Sequence, residues 1–261
     1  MNTAETLEKM TEMRLFGMKQ AYDLSLQSSD SGRMTNDELI TLLIETEYND
    51  RHNRRTQRNL KAAKFRYRSS IEEIDFSSNR NLDKGQLLRL ATCDYIKKNE
   101  SLIITGATGA GKSYVASALG HQACLFGYKV KYYNINKMFT SLKMLKVDNS
   151  DIKEKAKIEK YDLLILDDFG LQQLDTENRL SLLEIIEDRH GIKSTIITSQ
   201  LPVAKWHDII GDATIADAIL DRIVHTAHRI ELKGNSMRKK EKNGCKRINT
   251  NNSLGYERKN D

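Results

Sequence analysis

Long hydrophobic runs are missing from this sequence. No apolar stretch reaches about 18 residues, the length that would indicate a membrane-spanning helix. The first turns carry acidic residues and no apolar segment, so we also expect no signal peptide. We therefore expect a protein without a membrane-spanning helix.

Cysteine is scarce as well. The chain has three cysteines, Cys93, Cys124 and Cys245, which are widely spaced and form no Cys-x-x-Cys pair. An odd number at such spacings argues against a disulfide framework and against a zinc site. Few unpaired thiols fit a reducing compartment, so we expect a cytoplasmic protein with buried or idle cysteines.

What is present is a basic chain with its charge concentrated in one stretch. The 261 residues carry a formal net charge of +6, and 39% of them are hydrophobic, enough for one sizeable core and a smaller second unit. Between residues 51 and 68 there are eight cations and no acid. They are Arg51, Arg54, Arg55, Arg58, Lys61, Lys64, Arg66 and Arg68. Such a cluster indicates a polyanionic partner, although a solvated helix face would look the same.

The first part of the chain has a helical pattern. Apolar residues recur at spacings of three to five in residues 1–30, and a loop rich in serine follows. Thr35 and Glu38 form a capping-box pattern that begins one or two further helices, which run to about Arg68. We therefore predict a small all-helical unit over residues 1–70 that ends in the basic helix.

The pattern changes from about residue 71. Short apolar runs alternate with helical stretches, which predicts a parallel sheet covered by helices on both faces, over residues 71–238. The predicted strands are 101–105, 131–135, 163–166, 195–198 and 228–232. Residues 239–261 are polar and basic, and we expect this tail to be largely disordered.

A glycine-rich loop follows the first of these strands. Its residues are Gly106, Ala107, Thr108, Gly109, Ala110, Gly111, Lys112 and Ser113. This Gly-x-x-x-x-Gly-Lys-Ser spacing between a strand and a helix is typical of the P-loop, which cradles the phosphates of ATP. Lys112 supplies a positive charge for the β- and γ-phosphates, and the Ser113 hydroxyl suits the oxygen-ligand shell of Mg²⁺.

Two adjacent acids end the apolar strand 163–166. Because ligands of open α/β sheets bind outside the carboxyl ends of the strands, Asp167 is placed to hold Mg²⁺. Asp168 is placed to polarise the attacking water. A fourth strand ends in Ser199 and Gln200, either of which could sense the γ-phosphate, although ordinary strand-end hydrogen bonding is nearly as good an explanation. This order of motifs suits ATP hydrolysis better than phosphate transfer to a small molecule.

The motifs together identify a family resemblance that covers about residues 6–238. The chain resembles IstB, the AAA+ helper ATPases of bacterial insertion-sequence transposition, which are similar to the DnaC and DnaI helicase loaders. The segments that carry the resemblance are the P-loop, 13–18, 63–65, 166–170, 194–207, 215–222 and 232–238. The P-loop and acidic strand alone would indicate only a P-loop ATPase, and the later segments make the assignment specific.

The resemblance implies an AAA+ module that assembles on duplex DNA when ATP is bound, with each ATP site completed by a neighbouring subunit. Arg222 matches the position expected of an arginine finger, Arg238 could act as a second sensor, and Arg189 is a competing interface arginine. The chain ends soon after Arg238, so we expect no C-terminal helical lid. An ordinary surface salt bridge remains the alternative explanation for each arginine.

The leading hypothesis is therefore a DNA-binding ATPase that selects target DNA and activates a cognate transposase. A helicase loader with the same chemistry and a different partner is the first alternative. A small-molecule P-loop kinase is the second, and a nucleotide-gated module that barely hydrolyses ATP is the third. The basic stretch contains few aromatic residues, Phe65 and Tyr67, so base stacking on single strands is not its main signature.

Overall fold

The computed structural model describes residues 2–27, 34–76 and 80–234. Three helices form the N-terminal region: α1 (Thr3–Glu12), α2 (Phe16–Gln27) and α3 (Asn36–Ala63). The helical pattern of the first 30 residues thus corresponds to two helices, because the backbone turns between them at Arg14, whose φ is +58°. The predicted loop that follows α2 lies outside the described residues.

Helix α3 is a single helix of 28 residues, and its start confirms the predicted capping box. The Glu38 backbone N–H donates to the Thr35 side chain, and the Thr35 backbone N–H donates to the Glu38 carboxylate. The helix ends at Ala63, after which Lys64 adopts a left-handed conformation with φ of +56°. Residues 64–70, which we call the linking segment, continue without regular structure to the remainder of the chain.

The N-terminal helices pack through a position that only glycine can occupy. A Cβ at Gly17 would lie 2.6 Å from the Thr46 carbonyl oxygen and 2.8 Å from the Glu47 Cα. At the same contact, the buried Glu47 carboxylate accepts hydrogen bonds from the backbone N–H groups of Gly17 and Met18, at 2.9 and 3.2 Å. An acid from α3 thereby satisfies donors in the first turn of α2, where the helix dipole favours negative charge.

The rest of the described chain alternates helices and strands. The elements are α4 (Lys84–Ala91), α5 (Asp94–Lys97), β1 (Leu102–Gly106), α6 (Lys112–Leu125), β2 (Val130–Asn134), α7 (Ile135–Lys146), α8 (Asp151–Glu159), β3 (Leu163–Phe169), α9 (Thr176–Arg189), β4 (Ser194–Ser199), a 3₁₀ turn (Val203–Lys205), α10 (Trp206–Ile210), α11 (Ala213–Val224) and β5 (His228–Leu232). All five predicted strands are confirmed, with ends that shift by up to three residues.

The five strands form one parallel sheet in the order β2-β3-β4-β1-β5. Two hydrophobic clusters cover its faces. Strand β3 contributes Leu163 and Ile165 to one cluster and Leu164 and Leu166 to the other. A strand buried on both faces needs apolar residues at every position, which explains the continuous apolar run in the sequence.

The order of the strands positions the functional ends. Strand β3 lies between β2 and β4, and β4 lies between β3 and β1, so the P-loop strand and the acidic strand are separated by one strand. Asn134 at the end of β2 is in register with Asp167, and Thr105 near the end of β1 is in register with Ser199. All of these carboxyl ends therefore meet at one edge of the sheet.

The basic helix α3 packs directly on this α/β unit, against β2 and α6. Asn59 donates to the Tyr128 carbonyl at 3.0 Å, and Lys131 donates to the Ala62 carbonyl at 3.0 Å. In the linking segment, the Phe65 ring lies against α6, where a Cβ on Gly120 would be 2.6 Å from it. The C-terminal half of α3 and the linking segment are thus attached to the sheet that carries the P-loop.

No helix within the described ranges is long and apolar enough to span a membrane.

Candidate nucleotide-binding site

The P-loop connects the end of β1 to the start of α6, as the sequence predicts. Its backbone requires glycine at Gly106 and Gly111, where φ is +146° and +98°. A Cβ at Gly106 would lie only 2.2 Å from the Leu232 carbonyl oxygen of the neighbouring strand β5. The loop therefore delivers the chain to the N-terminus of α6, where backbone N–H groups and the helix dipole favour an anion.

Lys112 begins α6 and turns its side chain into the loop. Its Nζ donates to the carbonyl oxygens of Gly106 at 2.8 Å and Ala107 at 2.9 Å, and the side chain is largely buried. The ammonium group thus stands inside the concave loop rather than in solvent. A cation held there by the loop's own carbonyls is placed to meet phosphate oxygens.

Asp167 is completely buried and is held by several donors at once. Its Oδ1 accepts from the Ser113 hydroxyl at 2.8 Å and from the Thr198 hydroxyl. Its Oδ2 accepts from the Tyr132 hydroxyl. A buried carboxylate is stable only when its oxygens are paired in this way, so the neighbouring strands β2 and β4 and the P-loop helix together fix its position.

Burial and the charge of Asp167 together raise the pKa of the Tyr132 hydroxyl well above its usual range. Tyr132 therefore remains protonated and acts as a hydrogen-bond donor to the carboxylate throughout the physiological pH range.

Asp168 takes a different conformation from its neighbour. The register between β3 and β4 shifts between Leu166 and Phe169, and Asp168 has φ of +65°. This irregularity directs Asp168 to the rim of the site, where its Oδ2 accepts from the Asn134 side-chain amide at 3.0 Å. The Asp168 backbone N–H donates to the Thr198 hydroxyl at 3.1 Å. The two acids thus differ in burial, because Asp167 is fully buried and Asp168 is 17% exposed.

Arg66 also reaches the acidic pair, although the sequence placed it with the predicted DNA-binding cations. Its Nη1 lies 3.2 Å from Asp167 Oδ2 and 3.0 Å from Asp168 Oδ2. The guanidinium also lies over the Tyr67 ring, 5.6 Å from its centroid. Arg66 is therefore part of the candidate nucleotide site in this structure.

The two residues predicted at the tip of β4 behave differently. Gln200 Oε1 accepts from the Thr108 hydroxyl of the P-loop at 2.7 Å, which brings this side chain to the phosphate loop. Ser199 is fully buried, and its hydroxyl donates to the Phe169 carbonyl at 2.9 Å. The structure thus gives Ser199 a strand-end hydrogen bond, while Thr198, one residue earlier, contacts the acids.

The three candidate arginines differ in accessibility. Arg222 Nη2 pairs with Glu187 at 2.8 Å, and its side chain is 30% exposed on α11. Arg238 lies outside the described residues. Arg189 is 1% exposed and donates to the carbonyl oxygens of Ile158, Tyr161 and Ser194.

The interpretation of Arg189 as an interface arginine is wrong, because its guanidinium is enclosed in this chain's own interior. Burial lowers the pKa of Arg189 to about 10. Its carbonyl partners belong to the ends of α8 and β4 and to the turn before β3. Arg189 is a structural residue that satisfies backbone acceptors where these elements converge.

The predicted DNA-binding cations on α3 lie on one side of the helix, but only some of them form hydrogen bonds or ion pairs within the described part of the chain. Positions 51, 54, 55, 58 and 61 lie within an arc of roughly 120° at 100° per residue. Arg51 pairs with Glu47 at 2.6 Å, and Arg54 pairs with Asp50 at 2.7 Å. Arg55 donates to the Gly127 carbonyl at 3.1 Å. The acids one turn before the basic stretch therefore compensate its first cations.

The remaining cations of the stretch are exposed. Arg58, Lys61, Lys64 and Arg68 present their side chains to solvent at the end of α3 and on the linking segment.

A further cation that the sequence did not single out lies beside the P-loop. Arg80 is 8% exposed, and its Nη1 is 3.5 Å from where a Cβ on Gly111 would stand. Its Nε has no hydrogen-bond partner in the described part of the chain. Such a group has unused donor capacity next to the anion-binding loop.

The two described cysteines are buried, as expected, and their pKa values rise to about 11 for Cys93 and about 12 for Cys124 because of that burial. Cys245 lies outside the described residues.

The oxygen atoms around Ser113 fit a magnesium ion. Ser113 Oγ and Asp167 Oδ1 are neighbours at 2.8 Å, and both are hard oxygen ligands of the kind Mg²⁺ prefers. Within the described residues no cluster of three His, Cys, Asp or Glu side chains forms a metal site of its own. One carboxylate and one hydroxyl suit an ion whose remaining ligands are phosphate oxygens and water.

Four contributors to the site escaped the sequence reasoning: Thr198, Tyr132, Asn134 and Arg66. The first three stand on β2 or β4, the strands that flank the acidic strand. The signal was present, since polar residues at strand ends next to an acidic pair are candidates. These polar residues can be assigned to the site only once the strand order is known.

A P-loop followed by a helix, with an acidic pair at the end of a strand one position removed in a parallel sheet, defines a P-loop nucleotide-binding protein of the AAA+ fold. Solved structures agree. The DnaC helicase loader aligns with a TM-score of 0.52 and 20% identity, covering 64% of this chain and 98% of its own. DnaI aligns with a TM-score of 0.53 and 21% identity, covering 65% and 90%. These likenesses establish the fold.

The chain belongs to the family of IstB-like ATP binding proteins, whose family model matches residues 8–245. The insertion sequence ATP-binding protein y4pL of Sinorhizobium fredii is 42% identical over 237 residues, which cover 91% of this chain and 97% of that protein. The ATP-binding protein of insertion sequence IS1162 from Pseudomonas fluorescens is 39% identical over 203 residues, covering 77% and 88%. The expected family resemblance is therefore confirmed.

Proposed function

We propose that this protein is an ATPase that hydrolyses ATP to ADP and phosphate while assembled on duplex DNA, and that it promotes transposition. The observation that carries the proposal is the convergence of Lys112, Ser113, Asp167 and Asp168 at one edge of the sheet. A phosphate-binding loop, a metal-binding pair and an accessible carboxylate are the parts that hydrolysis requires.

Each residue has a role that follows from its surroundings. Lys112, inside the loop, balances the charge of the β- and γ-phosphates. Ser113 and Asp167 would hold Mg²⁺, which would supply positive charge to offset the negative charge that develops on the phosphates. The Asp167 carboxylate is oriented for this role because it accepts hydrogen bonds from the Tyr132 and Thr198 hydroxyls.

Asp168 is the residue proposed to polarise the attacking water. Its side chain is partly exposed, and the Asn134 amide holds one of its oxygens at 3.0 Å. A carboxylate oriented by a neighbouring amide can accept a hydrogen bond from water in a defined direction. Gln200, bonded to Thr108 of the P-loop, is placed to respond to the γ-phosphate.

Arg222 is proposed as the arginine finger that one subunit supplies to the next. It lies on α11 with its side chain 30% exposed, and within the described residues its ion pair is with the half-exposed Glu187. No described hydrogen bond or ion pair joins Arg222 to the P-loop or to the acids of its own chain. A finger supplied in trans would make hydrolysis depend on assembly of a homo-oligomer.

Duplex DNA is the proposed polyanion. Support comes from the exposed cations at the end of α3, Arg58 and Lys61, together with Lys64 and Arg68 of the linking segment. Contacts of this kind bind phosphates, release counterions and give an affinity that depends on salt but little on sequence.

The proposed biological role is target selection and activation of a cognate transposase. Relatives that share 42% and 39% identity are described as insertion sequence ATP-binding proteins, whereas the helicase loaders share only the fold at about 20%. Co-purification with the transposase of the same element would support this role, and association with a replicative helicase would support the loader alternative.

Sizing the protein by light scattering with a duplex of defined length tests the proposal. We expect a large DNA-bound assembly with Mg·ATP and none with Mg·ADP, and hydrolysis that rises when duplex is added. Arg222→Ala serves as the matched variant and should bind nucleotide but lack the stimulated hydrolysis. Equal assembly with both nucleotides would contradict the proposal.

A further inference from the structure

The linking segment is attached to α6 and to the nucleotide site at three successive points. The Phe65 ring packs against α6 at Gly120. Arg66 pairs with both acids, at 3.2 and 3.0 Å. The Ser69 hydroxyl donates at 3.2 Å to the carbonyl oxygen of Tyr114, the residue that follows Ser113. The linking segment therefore runs along α6 from Gly120 to the first turn of that helix, where the phosphate site begins.

Arg66 binds the acids as a counter-ion. Its Nη1 donates to one oxygen of each carboxylate, and Asp167 is fully buried while Asp168 is 17% exposed. Two adjacent carboxylates repel each other, and a guanidinium between them offsets that repulsion. At 38% exposure, the Arg66 side chain can leave for solvent at modest cost, unlike the enclosed Asp167.

Mg²⁺ and Arg66 compete for the charge of the same carboxylate. Ser113 and Asp167 Oδ1 form the metal-binding pair, and Arg66 occupies Oδ2 of that carboxylate. A divalent ion at Oδ1 places like charge within a few ångströms of the guanidinium and draws the carboxylate's charge away from it. Two ligands that oppose each other at one site must each weaken the binding of the other.

We propose that Arg66 is a positioning residue of the ATP site that competes with Mg²⁺ for the Asp167–Asp168 pair, so that loading of the metal-bound nucleotide loosens the linking segment. This inference rests on the proposed magnesium site. It assigns to Arg66 a role in the chain's own nucleotide site and not on the DNA surface. Whether the acids bind Arg66 or Mg²⁺ thereby affects the linking segment, which continues directly from the end of α3, where the exposed cations lie.

The test is a titration of the full chain with magnesium at a fixed ADP concentration and without DNA. Calorimetry measures the binding. ADP is chosen because it has no γ-phosphate that could attract Arg66 and offset the competition. Arg66→Gln should lower the Mg²⁺ concentration for half-maximal binding by about two- to fivefold, the range expected for a partly exposed ion pair. Arg66→Lys, which keeps the charge, should remain close to the wild type.

Arg229→Gln is the control, since it removes an exposed arginine on β5 without touching the acids. Hydrogen exchange of residues 64–70 supplies a second measurement that does not depend on activity. In the wild type and in Arg229→Gln, exchange should be faster with Mg·ADP than with ADP and a chelator. In Arg66→Gln it should be fast under both conditions.

The outcomes separate the inference from the proposed function. If Arg66→Gln has the magnesium dependence and exchange of Arg229→Gln, or needs more Mg²⁺ than the wild type, Arg66 does not compete with the metal. If the wild type shows no magnesium-dependent ADP binding at all, the proposed metal site itself fails. Lower magnesium demand without any change in exchange would overturn the coupling to the linking segment.

Discussion

The P-loop and the basic stretch at residues 51–68 are equally conspicuous in the sequence, but their side chains have different surroundings in the structure. The P-loop residues form the expected turn between a strand and a helix. The cations of the basic stretch differ: two pair with Glu47 and Asp50, Arg55 donates to a backbone carbonyl, and Arg66 lies on the acidic pair. The other four are exposed. The difference reflects how each feature is encoded.

A phosphate loop is encoded by backbone requirements, which are local. Glycine at positions with positive φ and a strand–loop–helix order define its shape without reference to distant residues. The role of a surface cation is set by what lies across from it in the folded chain. Arg66 and Asp167 are 101 residues apart in sequence, and no local pattern joins them. The predictions below sharpen or break this contrast, beginning with the largest effect.

Substitution of Asp168 tests the nucleotide site, which local sequence patterns predict. Asp168→Asn should reduce the rate of ATP hydrolysis by about 10²–10⁴, because an amide cannot polarise water as a carboxylate does, while ATP affinity stays near the wild-type value. Steady-state hydrolysis and equilibrium ATP binding measure the two quantities. An unchanged rate would favour a nucleotide-gated module that barely hydrolyses ATP.

Arg189 and Arg222 separate a structural arginine from a proposed finger. Arg189→Met should lower the free energy of unfolding by about 2–4 kcal/mol, because the carbonyls of Ile158, Tyr161 and Ser194 would lose their donor. Arg222→Ala should leave that free energy within about 0.5 kcal/mol, because its ion pair is exposed. Urea denaturation compares them, and equal stability of the two variants would contradict the assignment.

Gly17 tests the contact between α2 and α3. Gly17→Ala should lower stability by about 1–3 kcal/mol, because its Cβ would overlap the α3 backbone. Gly85→Ala is the matched control, since its Cβ would approach only side-chain atoms, at 3.3 and 3.5 Å. Thermal unfolding of both variants is the measurement. A similar unfolding temperature for the two would show that the N-terminal helices pack less closely than the structure indicates.

Two pairs of cations test whether the contribution of a cation to DNA binding depends on the ion pairs it already makes and not on its charge alone. The double variant Arg58→Gln, Lys61→Gln should reduce the salt dependence of duplex affinity by a slope of about two. The double variant Arg51→Gln, Arg54→Gln removes the same charge but should change the slope less, because these cations already pair with acids. Fluorescence anisotropy over a range of salt concentrations gives both slopes, and identical changes would remove the distinction.

Much of the architecture could be predicted from the sequence, because buried parallel strands require apolar runs and P-loops require glycine. The five strands, the capping box at Thr35 and the family all followed from such patterns and are confirmed. The break at Arg14, the burial of Arg189 and the position of Arg66 could not be predicted. Each depends on contacts between elements that only the folded chain brings together.

The most direct test of the central claim is equilibrium binding of Mg·ATP to the wild type and to Lys112→Ala, with Lys137→Ala as an exposed control on α7. Binding should be saturable for the wild type and the control, and weaker by about a hundredfold or more for Lys112→Ala, which loses a buried charge at the phosphates. Absence of Mg·ATP binding by the wild type, or equal affinity in all three proteins, would contradict the account.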